Sequence, residues 1–314
     1  MLLPILSLLA GFILLMWSAD TFTDNGAKIA RIFNIPPLVI GLLIFGFGTS
    51  APEMLVSGLA AYDGHPEMSI GNAFGSNIFN IGLVLGVTAI ILPITVEKSV
   101  LKKEWLFLFL STLIVGFLLL DGFLSFSDGL ILISLLTLFL INVFRESKKN
   151  NLTDSDNDSL ENNSQKNDKG RTWLLLIVSL IILVSSARLV VWGGTSLALS
   201  FGVSDLIIGL TVVALGTSLP ELAVSISSAL KKQHQMVIGN IIGSNLFNTL
   251  GVLAIPGLIL PFQIPTEVMS RDFFFMLMFT LLVLILSMRL KISRFGGFIL
   301  LTALTIYLYQ LFWI

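Results

Sequence analysis

The chain has 314 residues, 55% of them apolar, with 18 Lys+Arg against 19 Asp+Glu and a mean hydropathy of +0.95. Charged residues make up 12%, about half the roughly 25% of a soluble domain, which excludes a soluble enzyme and points to a membrane protein. The net charge of −1 gives no basic field for nucleic acid; without cysteine, and with only His65 and His234 as imidazoles, any bound metal must be held by oxygen.

A bilayer core takes about 20 apolar residues per helix. Such runs fall near 2–19, 36–61, 69–92, 104–120 and 128–144, and, beyond a polar stretch, near 173–191, 205–230, 236–260, 272–288 and 294–313. The first has no basic leader, and its counterpart near Trp173 is internal, so it reads as a helix and not as a cleaved signal. Residues 1–144 therefore form one five-helix unit, 145–171 a linker and 172–314 a second five-helix unit. His65 and His234 fall in short loops, where solvated surface is expected. The linker carries twelve charged residues between Arg145 and Arg171. Within it, Asp154-x-Asp156-x-Asp158 resembles the start of a calcium-binding EF-hand loop, but Ser159 and Gln165 stand where that loop needs Gly and Glu; a disordered tether is expected. With ten crossings and the N-terminus outside, sixteen Lys and Arg lie on the inner face and only Arg188 and Arg271 on the outer. That asymmetry puts the linker in the cytoplasm and both termini outside a cell (inner or plasma) membrane.

The two units are repeats. Gly48-Thr49-Ser50-Ala51-Pro52-Glu53 returns as Gly216-Thr217-Ser218-Leu219-Pro220-Glu221, and Gly71-Asn72-Ala73-Phe74-Gly75-Ser76-Asn77-Ile78-Phe79-Asn80 returns as Gly239-Asn240-Ile241-Ile242-Gly243-Ser244-Asn245-Leu246-Phe247-Asn248, both at an offset of 168. Five is odd, so the second copy enters the membrane from the opposite face. The expected fold is an all-α polytopic membrane protein of ten transmembrane helices in two inverted five-helix repeats, an architecture typical of secondary transporters with a midplane site between the repeats.

Only Glu53 and Glu221, among the acidic residues, fall in the middle of an apolar span. A carboxylate there costs about 2.5–3.5 kcal/mol on insertion scales and marks a functional site by default. Pro52 and Pro220 remove an N–H, so a helix break near Gly48 and Gly216 is expected, with freed carbonyls and with Ser50 and Ser218 as N-caps of the following half-helices. Thr49 and Thr217 stand one turn before the carboxylates. Carboxylate, hydroxyl and carbonyl oxygens are the hard ligands that Ca2+ takes, and Na+, of similar size, uses the same atoms. Asn72, Ser76 and Asn80, with Asn240, Ser244 and Asn248, stripe one face of the third and eighth helices. Ser76, Asn80, Ser244 and Asn248 are read as touching cations; Asn72, Asn77, Asn240 and Asn245 are divided evenly between that role and interhelical packing. An intramembrane enzyme lacks its parts: no His lies in a span, and neither Ser50 nor Ser218 has a base placed by sequence. No cofactor is implied.

The paired G-T-S-x-P-E and G-N-x-x-G-S-N segments resemble the two alpha-repeats of the sodium/calcium exchanger family, within the cation/calcium antiporter superfamily, and the likeness extends over essentially all ten helices. It implies Ca2+/Na+ antiport by sliding of the first and sixth helices over the other eight, with ions beside the second, third, seventh and eighth. The implied ligands are Thr49, Ser50, Glu53, Ser76, Asn80, Thr217, Ser218, Glu221, Ser244 and Asn248, plus carbonyls near Gly46 and Ala214. Asn248 stands where described exchangers have Asp, and Gly46 where Ala is usual. The proton/calcium branch typically has Glu where Gly75 and Gly243 stand; H+, or K+ beside Na+, is the alternative coupling ion. A monomer in the lipid bilayer is expected.

Overall fold

The computed structural model describes residues 2–153, 169–201 and 214–313. The Asp154–Asp158 triplet, most of the polar linker and the expected start of the seventh helix lie outside them. In chain order the helices are α1 (Leu2–Ile32), α2 (Pro37–Tyr62), α3 (Pro66–Ile91), α4 (Glu104–Leu118), α5 (Phe126–Thr153), α6 (Lys169–Ser200), α7 (Leu219–Leu230), α8 (His234–Ile259), α9 (Val268–Ser287) and α10 (Arg294–Trp313). A helical turn, Ala214–Thr217, precedes α7. Among the described residues, eight helices are long and apolar enough to cross a membrane. The shorter α4 runs for 15 residues, about 22 Å at 1.5 Å per residue.

Four two-residue strands reveal the inversion. β1 (Ile94–Thr95) pairs antiparallel with β4 (Lys291–Ile292), and β2 (Phe123–Leu124) with β3 (Phe262–Gln263). At the repeat offset β1 corresponds to β3 and β2 to β4. The repeat operation therefore carries the β1–β4 ladder onto the β3–β2 ladder. Because α4 crosses between β1 and β2, the two ladders close opposite ends of the bundle, and equivalent loops face opposite sides.

Burial places the centre. In α8 and α3, 89% and 72% of the apolar window is buried, against 28% in α1. One apolar cluster joins α3, α4, α5, α9 and α10 to α2 and α8 through Phe74, Ile78, Trp105, Ile242 and Phe279. A second, through Leu15, Phe22, Leu183 and Val190, joins α1 and α6 to α2 and α7. No buried residue of α1 or α6 belongs to the first. These two helices pack on each other along narrow stripes of repeat-equivalent residues, Leu15, Ser18, Ala19 and Phe22 against Leu183, Ser186, Ala187 and Val190. Small residues let the backbones close up: a Cβ on Gly11 would sit 2.7 Å from Val190 Cγ2.

Local structure departs from expectation in α2. Its helix runs unbroken through Pro52 from Gly46 to Tyr62, preceded by a π-helical stretch, Gly41–Phe45. Ser50 lies inside this helix and caps nothing. Tertiary packing holds the turn that Pro52 weakens, at the cost of one missing hydrogen bond to the Gly48 carbonyl. The second repeat does break: Ser218 is a non-helical turn residue between Thr217 and α7, at the N-cap position, with no side-chain capping bond. His65 precedes α3 as an exposed N-cap. His234, by contrast, opens α8 half-buried, because the α7–α8 loop is short and folds against the bundle.

Candidate functional site: a buried oxygen cluster between the repeats

The two halves bring their glutamates to the bundle centre. Glu53 on α2 and Glu221 on α7 are each 1% exposed, and Glu53 feels the charge of Glu221. Among the described residues no three His, Cys, Asp or Glu gather to hold a metal. The other buried donors of these motifs are neutral. Ser50 and Ser218, and Asn80 and Asn248, are buried on α2, before α7, on α3 and on α8. Their side-chain oxygens, with all four carboxylate oxygens, make eight buried oxygens with no hydrogen-bond partner.

An unpartnered buried polar atom costs about 1–3 kcal/mol, more if charged. Eight in repeat-matched positions form a set of hard donors, matching the six to eight oxygens that Ca2+ takes. The donors thus fit a desolvated cation as cargo. The amide nitrogens of Asn80 and Asn248 are also unpartnered.

The other expected residues divide. Thr49, fully buried, donates to the Phe45 carbonyl at 2.9 Å and lies 3.2 Å from Ser244 Oγ and 3.5 Å from Asn240 Oδ1, joining α2 to α8. Thr49 and Ser50 lie close to Glu221 across the repeat boundary, short of hydrogen-bond geometry. Ser76 donates to Asn72 Oδ1 at 3.4 Å, leaving its lone pairs free to accept or ligate. Thr217 is half-buried beside the break. Gly46 is buried on α2 against α8: a Cβ there would sit 2.8 Å from the Gly243 backbone and 2.9 Å from Ser244 N. Ala214 begins the turn before Thr217.

Two features escaped the sequence. Asn72 Nδ2 donates to the Glu53 carbonyl at 3.1 Å and to Ser57 Oγ at 3.0 Å; Asn240 repeats this on the Glu221 carbonyl at 3.3 Å and Ser225 Oγ at 3.0 Å. These asparagines brace the backbone that carries each glutamate. The recurring Asn–Ser spacing, 72 with 57 and 240 with 225, was the available signal. The second feature is a pair of π-helical stretches, Asn80–Leu85 and Phe247–Val252, at the site asparagines. Such bulges concentrate at functional sites, and residue type gives no sign of them. Asn77 serves packing through its amide nitrogen, which donates to Thr249 Oγ1 at 2.7 Å and to Met276 Sδ at 3.2 Å. Asn245, whose surroundings differ, has no partner for either amide atom.

Inverted repeats and a carboxylate-bearing centre at their interface define an inverted-repeat membrane antiporter. The chain belongs to the sodium/calcium exchanger protein family, whose model matches residues 3–145 and again 171–313, two stretches set apart by the repeat offset. It is 41% identical to the putative antiporter CaxA of Alkalimonas amylolytica, with 99% of each chain covered. It is 28% identical to the sodium/calcium exchanger MaX1 of Methanosarcina acetivorans, over 98% of each. A solved structure of the sodium-calcium exchanger NCX_Mj superposes with a TM-score of 0.86 at 36% identity, covering 99% of both chains. Membership makes the chain a multi-pass membrane protein of cation/Ca2+ exchange.

Proposed function

We propose that the protein exchanges Ca2+ for Na+ by alternating access, binding both at the membrane midplane between Glu53 and Glu221. The observation that carries this reading is the set of eight unpartnered, buried, repeat-matched oxygens with two formal charges. Ser76, Ser244, Thr49 and Thr217 complete the ligand set through hydroxyls, and the backbone near Gly46 and Ala214 through carbonyls.

Obligatory exchange follows from charge. With both glutamates ionised the empty site carries two negative charges, and enclosing them in a desolvated intermediate costs several kcal/mol per uncompensated charge. Ca2+ or Na+ removes that penalty, so the loaded carrier crosses and the empty one stays. The separation of the α1–α6 cluster from the main core supports sliding of these two helices as the moving step. The positive-inside asymmetry supports placing the β1–β4 end and the linker in the cytoplasm of a cell or inner membrane, with the termini outside.

The second repeat argues against the proton/calcium branch: a Cβ at Gly243 would come within 2.4 Å of the Leu42 carbonyl, leaving no room for that branch's Glu, whereas at Gly75 nothing lies within 4 Å. The decisive experiment is 45Ca2+ uptake into proteoliposomes under an imposed Na+, H+ or K+ gradient. Uptake driven by Na+ alone is expected; uptake driven only by H+, or only with K+ present, would replace this reading. Thiol labelling of Lys102→Cys and Asp121→Cys, one from each end, is expected to find them on opposite sides, Lys102 inside.

A further inference from the structure

An ion-pair cluster stands apart from the cation centre. Lys231, the C-cap residue of α7, places Nζ 2.7 Å from Asp20 and 2.7 Å from Asp24 on α1, and donates to the Asp20 carbonyl at 2.8 Å. Ser227, one turn earlier, donates to Asp20 Oδ1 at 3.2 Å. The cluster ties α1, a helix of the sliding pair, to the end of α7.

At the repeat offset, Lys231 falls on Asp63 and Asp20 on Arg188. The positions match in backbone as well. Asp63 is the C-cap of α2 with φ −78°, ψ 1°, and Lys231 the C-cap of α7 with φ −84°, ψ 5°. Each is followed by a residue of positive φ, Gly64 and Lys232. Both charges change sign between the repeats: the first carries acid on helix and cap, Asp20 and Asp63, and the second base on both, Arg188 and Lys231. Both pairings are therefore attractive, whereas reversal at one position alone would have set like charges together. Only the first pairing is made. Among the described residues, Arg188 and Asp63 are exposed and form no ion pair. Arg188 instead lines a crevice of about 380 Å³ with Pro52, Thr217 and Pro220, alongside α6.

We propose that these two pairs are alternating ionic latches for the α1–α6 unit. Lys231 with Asp20 and Asp24 holds the unit in the conformation described here. Arg188 with Asp63 holds it in the conformation of opposite access, in which the first latch is open. The proposal rests on the alternating-access reading, because inverted repeats exchange environments between the two states. Ion pairs at least partly open to solvent suit this role, because each biases an equilibrium by a factor of about two to five and breaks readily.

The test uses the full, cysteine-free chain in proteoliposomes. Asp20→Cys/Lys231→Cys and Asp63→Cys/Arg188→Cys are treated with a short, cleavable bifunctional thiol reagent during Ca2+ exchange. Both pairs are expected to cross-link, each cross-link to stop flux and its cleavage to restore flux. Adding Lys231→Ala to the Asp63/Arg188 pair is expected to speed its cross-linking about two- to fivefold. Arg188→Asp is expected to slow exchange by a similar factor, and adding Asp63→Arg to recover it. Absent cross-linking at Asp63/Arg188 in a variant that still carries flux, or no recovery in the charge-swapped double variant, overturns the latch and leaves alternating access standing. Absent Ca2+ flux in the parent chain overturns the transport reading and the latch with it.

Discussion

The hydroxyl of Thr49, in the first repeat, lies 3.2 Å from that of Ser244, in the second. These residues stand in different motifs and different halves, so the two repeats meet at this contact. On the proposed ligand set, neither half alone supplies all the donors.

The carboxylates supply all the formal charge of the cluster. Glu53→Gln and Glu221→Gln are each expected to abolish Na+-driven Ca2+ flux in proteoliposomes, because an amide keeps the shape but cannot balance a divalent ion. Each variant is expected to remain folded, with a thermal midpoint at or above that of the parent, since removing a buried charge relieves desolvation. Near-normal flux in either would remove that residue from the mechanism.

The bracing asparagines give a different signature. Asn72→Ala and Asn240→Ala each remove the second donor from a glutamate carbonyl that still accepts within its own helix, and the bond to Ser57 or Ser225 Oγ, at about 0.5–1.5 kcal/mol per bond. The expected result is a lower thermal midpoint together with weakened apparent Ca2+ affinity, and flux that persists at high Ca2+. Loss of flux at all Ca2+ concentrations with an unchanged midpoint would make them ligands and not braces.

Much of this was legible in the sequence because it depends on composition and period. The repeat offset, the glutamates and the Ser and Asn donors are matters of residue type at fixed spacing, and a burial cost makes such residues conspicuous in apolar helices. What depended on packing was not legible. Pro52 suggested a break that α2 does not have, while the same residue type at Pro220 follows a real one at Ser218. The helix at Pro52 is held by neighbours, and propensity says nothing of neighbours. Asn77 and Asn245 are repeat equivalents, but Thr249 and Met276, to which Asn77 donates, correspond to the apolar Ile81 and Leu108, and Asn245 has no partner.

Gly46 is set by the close crossing of α2 and α8. Gly46→Ala would place a Cβ within 2.8 Å of the Gly243 backbone, where neither helix can yield without moving the donors it carries. A loss of about 1–3 kcal/mol of stability is expected from such overpacking, with reduced Ca2+ flux. Gly58→Ala, whose Cβ would meet only Ile255 Cγ2 at 3.6 Å, is the control and is expected to leave flux unchanged and stability equal or higher by up to about 1 kcal/mol. An equally stable Gly46→Ala protein would mean that the crossing is looser than the geometry requires.

On the proposed ligand set, Asn248 sets the charge of the site. With Glu53 and Glu221 as its only carboxylates, one Ca2+ or two Na+ would neutralise the centre equally. Exchange limited to neutral loaded forms then moves no net charge, and Na+-driven Ca2+ uptake is expected to be insensitive to a membrane potential clamped with K+ and an ionophore. Asn248→Asp adds a third negative charge in a buried position, 0% exposed. Three Na+ would then neutralise it while Ca2+ leaves one charge uncompensated, so the two half-cycles differ by one elementary charge. A charge crossing the whole membrane is worth about 2.3 kcal/mol per 100 mV, enough to alter the flux several-fold over an ordinary range of potentials. The expected result is a slower exchanger whose Ca2+ uptake responds to voltage, since the Ca2+-loaded form now bears the desolvation cost. A parent protein as voltage-sensitive as the variant would show that more than two Na+ are carried with the two glutamates alone, and the assignment of site charge to Glu53 and Glu221 would have to be given up.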